Sequence, residues 1–471
     1  MHVSRRKLLV AAAGSALALA AGKNARAQPR KPNIVFIVAD DFGYADASCY
    51  GRQEYATSSI DRLAAGGMRF LQAYANSAVC SASRTAIITG RYQDRLPVGL
   101  EEPISVRDDG KVVGLPPGLP TLPAQLKEAG YATALIGKWH LGPLPDFGPL
   151  KSGYDHFYGI RRGASDYFIH DRDLWSEDVR IDENGYLTDL LGEHALQFVR
   201  ESAGSARPFF LSLHFNAPHW PWEGPGDEAE AKRIKGRLKD FDGGSMKTYA
   251  EMVTRMDYQI GRVLDALDAG GLAENTIVIF TSDNGGERFS NRWPFTGMKL
   301  ELLEGGIRIP AIVRWPGRVP ANTVNEGQPI IHIDWMPTLL AAAGITPDPS
   351  FPSDGMSLLP TLTNANAAPV PRKLFWRYLN LLQEACRDGD FKYLKILDNT
   401  FLFNVVEDPL ERANLKDRKP EIYNRLVAEY RAWAATMLPL DPGAFADGNI
   451  GSQIADHYGN KKLKNLGDSA K

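Results

Sequence analysis

The chain has 471 residues, 44% of them hydrophobic, and a formal net charge of −2. This length and apolar content suit one large core and a smaller one, and they exclude a chain dominated by disorder. With only Cys49, Cys80 and Cys386 there is no disulfide scaffold, and the slightly acidic balance excludes the broad basic surface that nucleic acid requires.

Residues 1–27 are set apart from fold reasoning. Ser4-Arg5-Arg6-Lys7-Leu8-Leu9, an Ala/Leu run and Ala25-Arg26-Ala27 read as a twin-arginine export signal with its cleavage site. Leu8 to Gly22 is too short and too alanine-rich for a stable membrane anchor. The expected address is the periplasm or the exterior, with the twin-arginine machinery as a partner. Removal of this segment takes away Arg5, Arg6, Lys7, Lys23 and Arg26 and no acidic residue, which moves the formal charge to −7.

Four short apolar runs then share one design, each leading into a cluster of chemically capable residues. Ile34–Val38 leads to Asp40-Asp41, Ala132–Ile136 to Lys138 and His140, Phe209–Leu213 to Asn216 and His219, and Ile277–Phe280 to Asp283-Asn284. Continuous apolar runs suit strands buried on both faces, and ligands gather beyond the carboxyl ends of such strands, so the four clusters are expected to converge. Between the third and fourth runs, Met252, Val253, Met256, Ile260, Val263 and Leu264 recur at helical spacing within 249–267, with a glycine stop at Gly270-Gly271. A further helix opens at Asp334-Trp335-Met336.

Residues 346–372 have the Pro/Ser/Asn/Ala composition of a linker or long crossing loop. The expected division is a catalytic domain over 28–365 and a small α+β domain over 366–471. In the latter, 373–378, 391–396 and 400–405 read as strands of a small antiparallel sheet and 421–437 as a helix across it; the tail from Gly451 is polar.

Two adjacent carboxylates ending a buried strand repel unless a cation compensates them. Asp40-Asp41 reads as such a pair, and Asp283-Asn284, a carboxylate and an amide, ends its run in the same way, unless either is a turn or cap; together they offer only oxygen ligands, the donor set of Ca²⁺ or Mg²⁺ and not of zinc. Cys80 lies among small or hydroxylated neighbours, and Arg84, four residues on, would return to it after one helical turn.

Cys80-Ser81-Ala82-Ser83-Arg84, followed by Thr89-Gly90-Arg91, resembles the signature of the sulfatases, with Ala82 where many members carry proline. Pro32-Asn33-Ile34-Val35, Gly137-Lys138-Trp139-His140-Leu141-Gly142, Ala217-Pro218-His219, Ser282-Asp283-Asn284-Gly285-Gly286 and Glu304–Pro310 resemble further blocks of that family in the same order. The resemblance runs from Asn33 to about Trp433. It implies an α/β fold, the alkaline-phosphatase-like sandwich of a large, mostly parallel sheet, plus a small C-terminal antiparallel sheet with a helix.

It also implies hydrolysis of sulfate esters. Cys80 would be oxidised to formylglycine (3-oxoalanine) by a separate formylglycine-generating enzyme, before export, since the twin-arginine route carries folded proteins. One hydroxyl of the hydrated aldehyde would attack sulfur, and loss of the second hydroxyl's proton would expel sulfate. One Ca²⁺ would be held by Asp40, Asp41, residue 80, Asp283 and Asn284. Arg84 would belong to the catalytic set; Lys138 and Lys299 would clamp the sulfate; His140 would deprotonate the diol; His219 would bind substrate and protonate the leaving alkoxide; Asp283 would also help activate the attacking hydroxyl. Lys138 and His140, two apart on an extended segment, would point the same way.

Ser165 in Gly163-Ala164-Ser165-Asp166 matches a further sulfate-contacting position, or is one half of a turn pair. Tyr167, His170, Trp175 and Trp222 either stack on a sugar or aryl ring or line their own loops. The 374–378 and 385–392 stretches resemble those of N-acetylgalactosamine-6-sulfatase-type members, which favours a sulfated sugar over a simple aryl ester. Two other readings remain beside this one: a phosphonate monoester or phosphodiester hydrolase using the same site, and a non-catalytic anion-binding protein in which Cys80 is never converted.

Overall fold

The computed structural model describes residues 30–446 except 106, 108, 109 and 236–242, and the backbone alone of residue 171. The expected export signal and the tail beyond 446 lie outside the described residues. From Pro32 the described residues form one compact unit.

Its centre is formed by the four apolar runs. They are the strands Asn33–Ala39, Ala132–Gly137, Phe209–His214 and Thr276–Ser282, mutually parallel in the order 276–282, 33–39, 209–214, 132–137. Every residue of Asn33–Ala39 is buried. Alternation sends Ile34, Phe36 and Val38 to one face and Val35 and Ile37 to the other, into two separate cores. A strand with two buried faces has no room for polar side chains until it ends, and so the chemistry collects at its carboxyl end.

The complete sheet among the described residues has eleven strands. Arg308–Arg314 and Met68–Tyr74 extend it beyond Thr276–Ser282 with antiparallel pairings, and His156–Ile160 extends it beyond Ala132–Gly137. One face carries the helices Ser58–Ala65, Leu187–Ala203 and Met246–Ala269, and the other the helix Trp335–Ala342. Met246–Ala269 shows why periodicity located it: the six apolar residues expected to face inward are all fully buried. At roughly 1.5–3 kcal/mol for each such side chain, packing outweighs the helix's own propensity.

The C-terminal sheet is a four-stranded antiparallel meander, Lys373–Tyr378, Gln383–Asp388, Phe391–Ile396 and Asn399–Asn404, with the helix Pro420–Ala434 packed on it. Gln383–Asp388 adds a strand to the three expected. A third core, built from Tyr74, Val79, Leu300, Ile333, Trp376 and Phe403 among others, joins this sheet to the segment that carries Cys80 and to the loop that carries Lys299. The boundary expected at 365/366 falls in the loop between the short helix Leu359–Thr363 and Lys373–Tyr378.

Candidate active site

Cys80 is the first residue of a helix, Cys80–Thr89, all ten residues of which are buried. Its hydroxyl side chains allow this by bonding within the helix: Thr85 Oγ1 donates to the Ser81 carbonyl at 2.9 Å and Thr89 Oγ1 to that of Thr85 at 2.6 Å. The helix N-terminus, with its partial positive charge, lies at residue 80, where an anion would be favoured.

The expected convergence occurs. The Cys80 thiol donates toward Asp40 Oδ1 at 3.4 Å and lies 3.9 Å from Asp41 Oδ1. Asn284 Nδ2 donates to Asp41 Oδ1 at 2.7 Å, and the Asp41 amide donates to Asp283 Oδ1 at 3.3 Å. Arg84, on the same side of its helix as residue 80, donates Nε and Nη2 to Asp283 Oδ2 at 3.0 and 2.8 Å, and Nη2 lies 3.8 Å from Asp40 Oδ1. Lys138 Nζ pairs with Asp40 Oδ2, and Lys299 Nζ bridges Asp41 Oδ2 at 2.7 Å and Glu287 Oε1 at 3.1 Å. His219 Nε2 stands 3.5 Å from Asp41 Oδ2.

Burial dominates the electrostatics. It pushes the Cys80 thiol well above its ordinary range against the pull of Lys138 and Lys299, so the unmodified side chain is a neutral thiol and a poor nucleophile. Burial first, then Asp283, raises Asp40 to about 8 although Lys138 and Arg84 oppose it. Asp283 is the reverse: burial would raise it, but Arg84 and Lys138 hold it below the usual carboxylate range. That pairing makes Asp283 a weak base in this arrangement. Asp41 and Glu287 together overcome burial to hold the Lys299 ammonium well above its ordinary value. Burial lowers both His140 and His219 well below the usual range, reinforced by Lys138 and Arg84 for the first and by Lys299 and Lys138 for the second.

Asp41 at φ 63° and His140 at φ 55°, both within the cluster, carry backbone conformations that favour glycine. The second corrects the expectation of an extended Lys138–His140 segment. The strand ends at Gly137, where glycine is required twice over, by a φ of 122° and because a Cβ would lie 1.8 Å from the His214 carbonyl oxygen. The chain then turns, so alternation does not set the His140 direction. The ring is instead placed by a Nε2 contact with the Ile104 carbonyl at 3.3 Å and by Gly163, where a Cβ would come within 2.5 Å of it. A carbonyl partner puts the proton on Nε2 and leaves Nδ1, buried and without a partner, as an unprotonated base. In His219 the arrangement is inverted: Nδ1 donates to the Trp220 carbonyl at 2.6 Å and Nε2 faces the carboxylates.

Ser165 is fully buried, and its hydroxyl donates to the Asp166 carbonyl at 3.3 Å; the Asp166 carboxylate in turn accepts the amides of Phe168 and Ile169. Gly163–Asp166 is therefore organised as a turn. Tyr167 donates to the Asn216 and His219 carbonyls and is fully buried, His170 contacts the Gly185 carbonyl, and Trp222 packs edge-on against Phe289. These aromatic groups line their own loops. Trp175 is half-buried under the guanidinium groups of Arg161 and Arg180.

Sequence reasoning missed His214 and Glu287. His214, buried at the end of its strand, brings Nδ1 within 3.2 Å of Arg84 Nη1, and burial with Arg84 lowers it to about 3, so it is a neutral acceptor that orients the guanidinium. Glu287 accepts from Lys299 and, at 3.4 Å, from Trp220 Nε1. Each follows a buried strand closely, which is the one signal that could have found it.

A cation fits this donor set. Asp40, Asp41, Cys80 and His219 each offer one ligand atom, all within 4.8 Å of one another. Beside them the Asn284 Oδ1 is buried with no hydrogen-bond partner, an acceptor that a positive charge would satisfy. With Asp283 and Asn284 the set is dominated by oxygen.

A sulfatase family model matches residues 32–345, and a model described as N-sulphoglucosamine sulphohydrolase, C-terminal, matches 298–432. N-acetylgalactosamine-6-sulfatase of Canis lupus familiaris is 34% identical over 380 residues, 75% of this chain and 70% of that protein. The Homo sapiens protein of the same name is 35% identical over 378 residues, 74% and 69% of the two chains. Among solved structures, Ps i-CgsB in complex with k-i-k-neocarrahexaose is 30% identical with a TM-score of 0.78, covering 90% of this chain and 96% of that one. The architecture is the alkaline-phosphatase-like α/β fold with its small four-stranded sheet. The chain belongs to the sulfatase family and is a sulfuric ester hydrolase.

Proposed function

We propose that this enzyme hydrolyses sulfate esters of a carbohydrate through formylglycine at residue 80, with one Ca²⁺ beside it. The observation that carries the reading is residue 80 itself: a buried neutral thiol at a helix N-terminus, hemmed in by carboxylates, is unfit to act as it stands. Oxidation by a maturation enzyme with an external oxidant would replace CH₂SH by an aldehyde, whose hydrate offers two hydroxyls. Asp40, Asp41, Asp283, Asn284 and residue 80 would hold the cation, which supplies positive charge next to the ester oxygens.

The residues then divide the proton work. Asp40 Oδ1, nearest to residue 80, is better placed than the Arg84-bound Asp283 to take the attacking hydroxyl's proton. The new O–S bond forms as the S–O bond to the alcohol breaks, and the alkoxide takes a proton from His219 Nε2. Because the lysines depress His219, it must gain that proton in the substrate complex, where the anionic ester offsets their charge. His140 Nδ1 then takes the proton of the remaining hydroxyl; the C–O bond to sulfate breaks, sulfate departs and the aldehyde returns. Lys138 and Lys299 hold the sulfate oxygens, and Arg84 fixes Asp283. A sulfate contact by Ser165, whose buried hydroxyl now donates to the Asp166 carbonyl, remains part of the proposal.

A sugar substrate is supported by the relatives' names and by the neocarrahexaose complex of Ps i-CgsB. Export through residues 1–27 to the periplasm remains part of the proposal. Turnover of a panel of sulfated glycans and an aryl sulfate by the protein and its Cys80→Ala variant tests it. Glycan turnover lost on substitution supports the reading; aryl turnover without any glycan turnover would overturn the substrate class.

A further inference from the structure

The ion pairs of the site form two chains. One runs from Lys138 through Asp40 and Arg84 to Asp283, the other from Asp41 through Lys299 to Glu287. Four carboxylates thus face three cations, all of them buried. Three of the carboxylates border the cation site; Glu287 does not, standing behind Lys299. It is 4% exposed, its Oε1 accepts from Lys299 and Trp220, and its Oε2 has no partner. Arg292, on the same loop, gives Nη1 to the Glu287 carbonyl and the Ser290 hydroxyl and not to the carboxylate.

A glutamine could accept the same two hydrogen bonds without a buried, half-satisfied carboxylate, whose desolvation is costly. Burial, with Asp41 beside it, raises Glu287 to about 7 although Lys299 opposes this, so above that pH what the glutamate adds over the amide is one negative charge, one lysine removed from the bound ester. Its repulsion scales with the ligand's charge, so a doubly charged ester meets twice the penalty of a singly charged one. Sulfate monoesters carry one negative charge, whereas phosphate monoesters carry nearly two above their second ionisation near pH ~6.

We infer that Glu287 is a specificity-determining residue that sets the charge of the pocket so that singly charged esters are bound in preference to doubly charged ones. The inference rests on the assignment of Lys138 and Lys299 to the ester's oxygens.

The test uses Cys80→Ala protein, which cannot turn over ester, with and without Glu287→Gln. Calorimetry gives the affinities of phenyl sulfate, phenyl phosphate and the singly charged diester methyl phenyl phosphate, above pH 7. Glu287→Gln should improve phenyl phosphate relative to phenyl sulfate by about tenfold or more, with the diester following the sulfate. Equal changes for all three would mean that Glu287 only holds Lys299, and would overturn the inference, as would an unchanged ratio. Glu287→Asp, which keeps the charge, should keep the parent's ratio; a shift like that of the glutamine variant refutes the charge argument. A measurement with Glu287 intact guards against a misfolded variant: well above pH 7, where Glu287 is ionised, phenyl phosphate should bind more weakly than the two singly charged esters, and tighter binding of the dianion overturns the inference. Failure of the unaltered protein to hydrolyse any sulfate ester would count against the proposed function and leave these affinity ratios to be judged separately.

Discussion

Arg84→Met tests how the site is held together. Arg84 is 2% exposed, gives two hydrogen bonds to Asp283 Oδ2 and one to the Lys138 carbonyl at 3.2 Å, and lies against His214 Nδ1. Methionine keeps much of the volume and removes the charge. Stranding one partner of a buried pair costs about 3–5 kcal/mol, and an orphaned buried carbonyl about 1–3 kcal/mol more. The total, roughly 4–8 kcal/mol, rivals the ~5–15 kcal/mol by which an ordinary domain is folded. A packing defect of similar size would not respond to charge, and this one should: Asp283→Asn in the Arg84→Met background removes the stranded carboxylate and recovers part of the loss. The assay is urea unfolding of the four proteins of the cycle, first with chelator and then with Ca²⁺, which compensates Asp283 and shrinks the Arg84→Met deficit. A loss below ~1 kcal/mol, or an additive cycle, would refute the reasoning.

His219→Ala should slow esters of poorly acidic alcohols by ~10²–10⁴-fold and activated aryl sulfates far less; equal losses on both would remove its role as acid. His140→Ala should release one equivalent of alcohol and then stall, with sulfate trapped at residue 80 by intact mass, whereas steady turnover would contradict the base read from its free Nδ1. Burial lowers His332 to about 4 from 6.5, so the unfolded chain binds a proton between those values that the folded chain does not. Stability should therefore be fully present above pH 6.5 and decline as pH falls toward about 4, by up to roughly 3 kcal/mol; thermal unfolding of His332→Asn should lack that part of the acid slope.

The parallel core was legible because a strand buried on both faces must be apolar along nearly its whole length, as Ile34–Val38 is and as Phe209–Leu213 is apart from Ser212, whose hydroxyl accepts from Tyr154. Its chemistry was legible for the same reason, since Asp40, Lys138, His219 and Asp283 all follow such runs. Gln383–Asp388 was missed because its burial depends on partners remote in sequence: Arg387 is buried with its Nη1 and Nη2 donating to Tyr74 Oη and Gln72 Oε1 of the large sheet and its guanidinium over the Tyr74 ring. His140 was expected on extended backbone because its left-handed conformation, at φ 55°, leaves no mark in the local sequence, while the glycine that ends the strand at 137 is required by the His214 carbonyl of the neighbouring strand. Glu287 was hidden differently. A glutamate after Asn-Gly-Gly reads as an ordinary loop residue until Lys299, twelve positions on, folds back onto it.

The central claim is that residue 80 acts as formylglycine, and mass analysis of the tryptic peptide 70–84 from active enzyme tests it most directly. The peptide should have lost sulfur and two hydrogens and gained one oxygen, in a fraction that rises and falls with specific activity across preparations. Full sulfate-ester turnover from protein whose peptide retains an intact Cys80 thiol would contradict it.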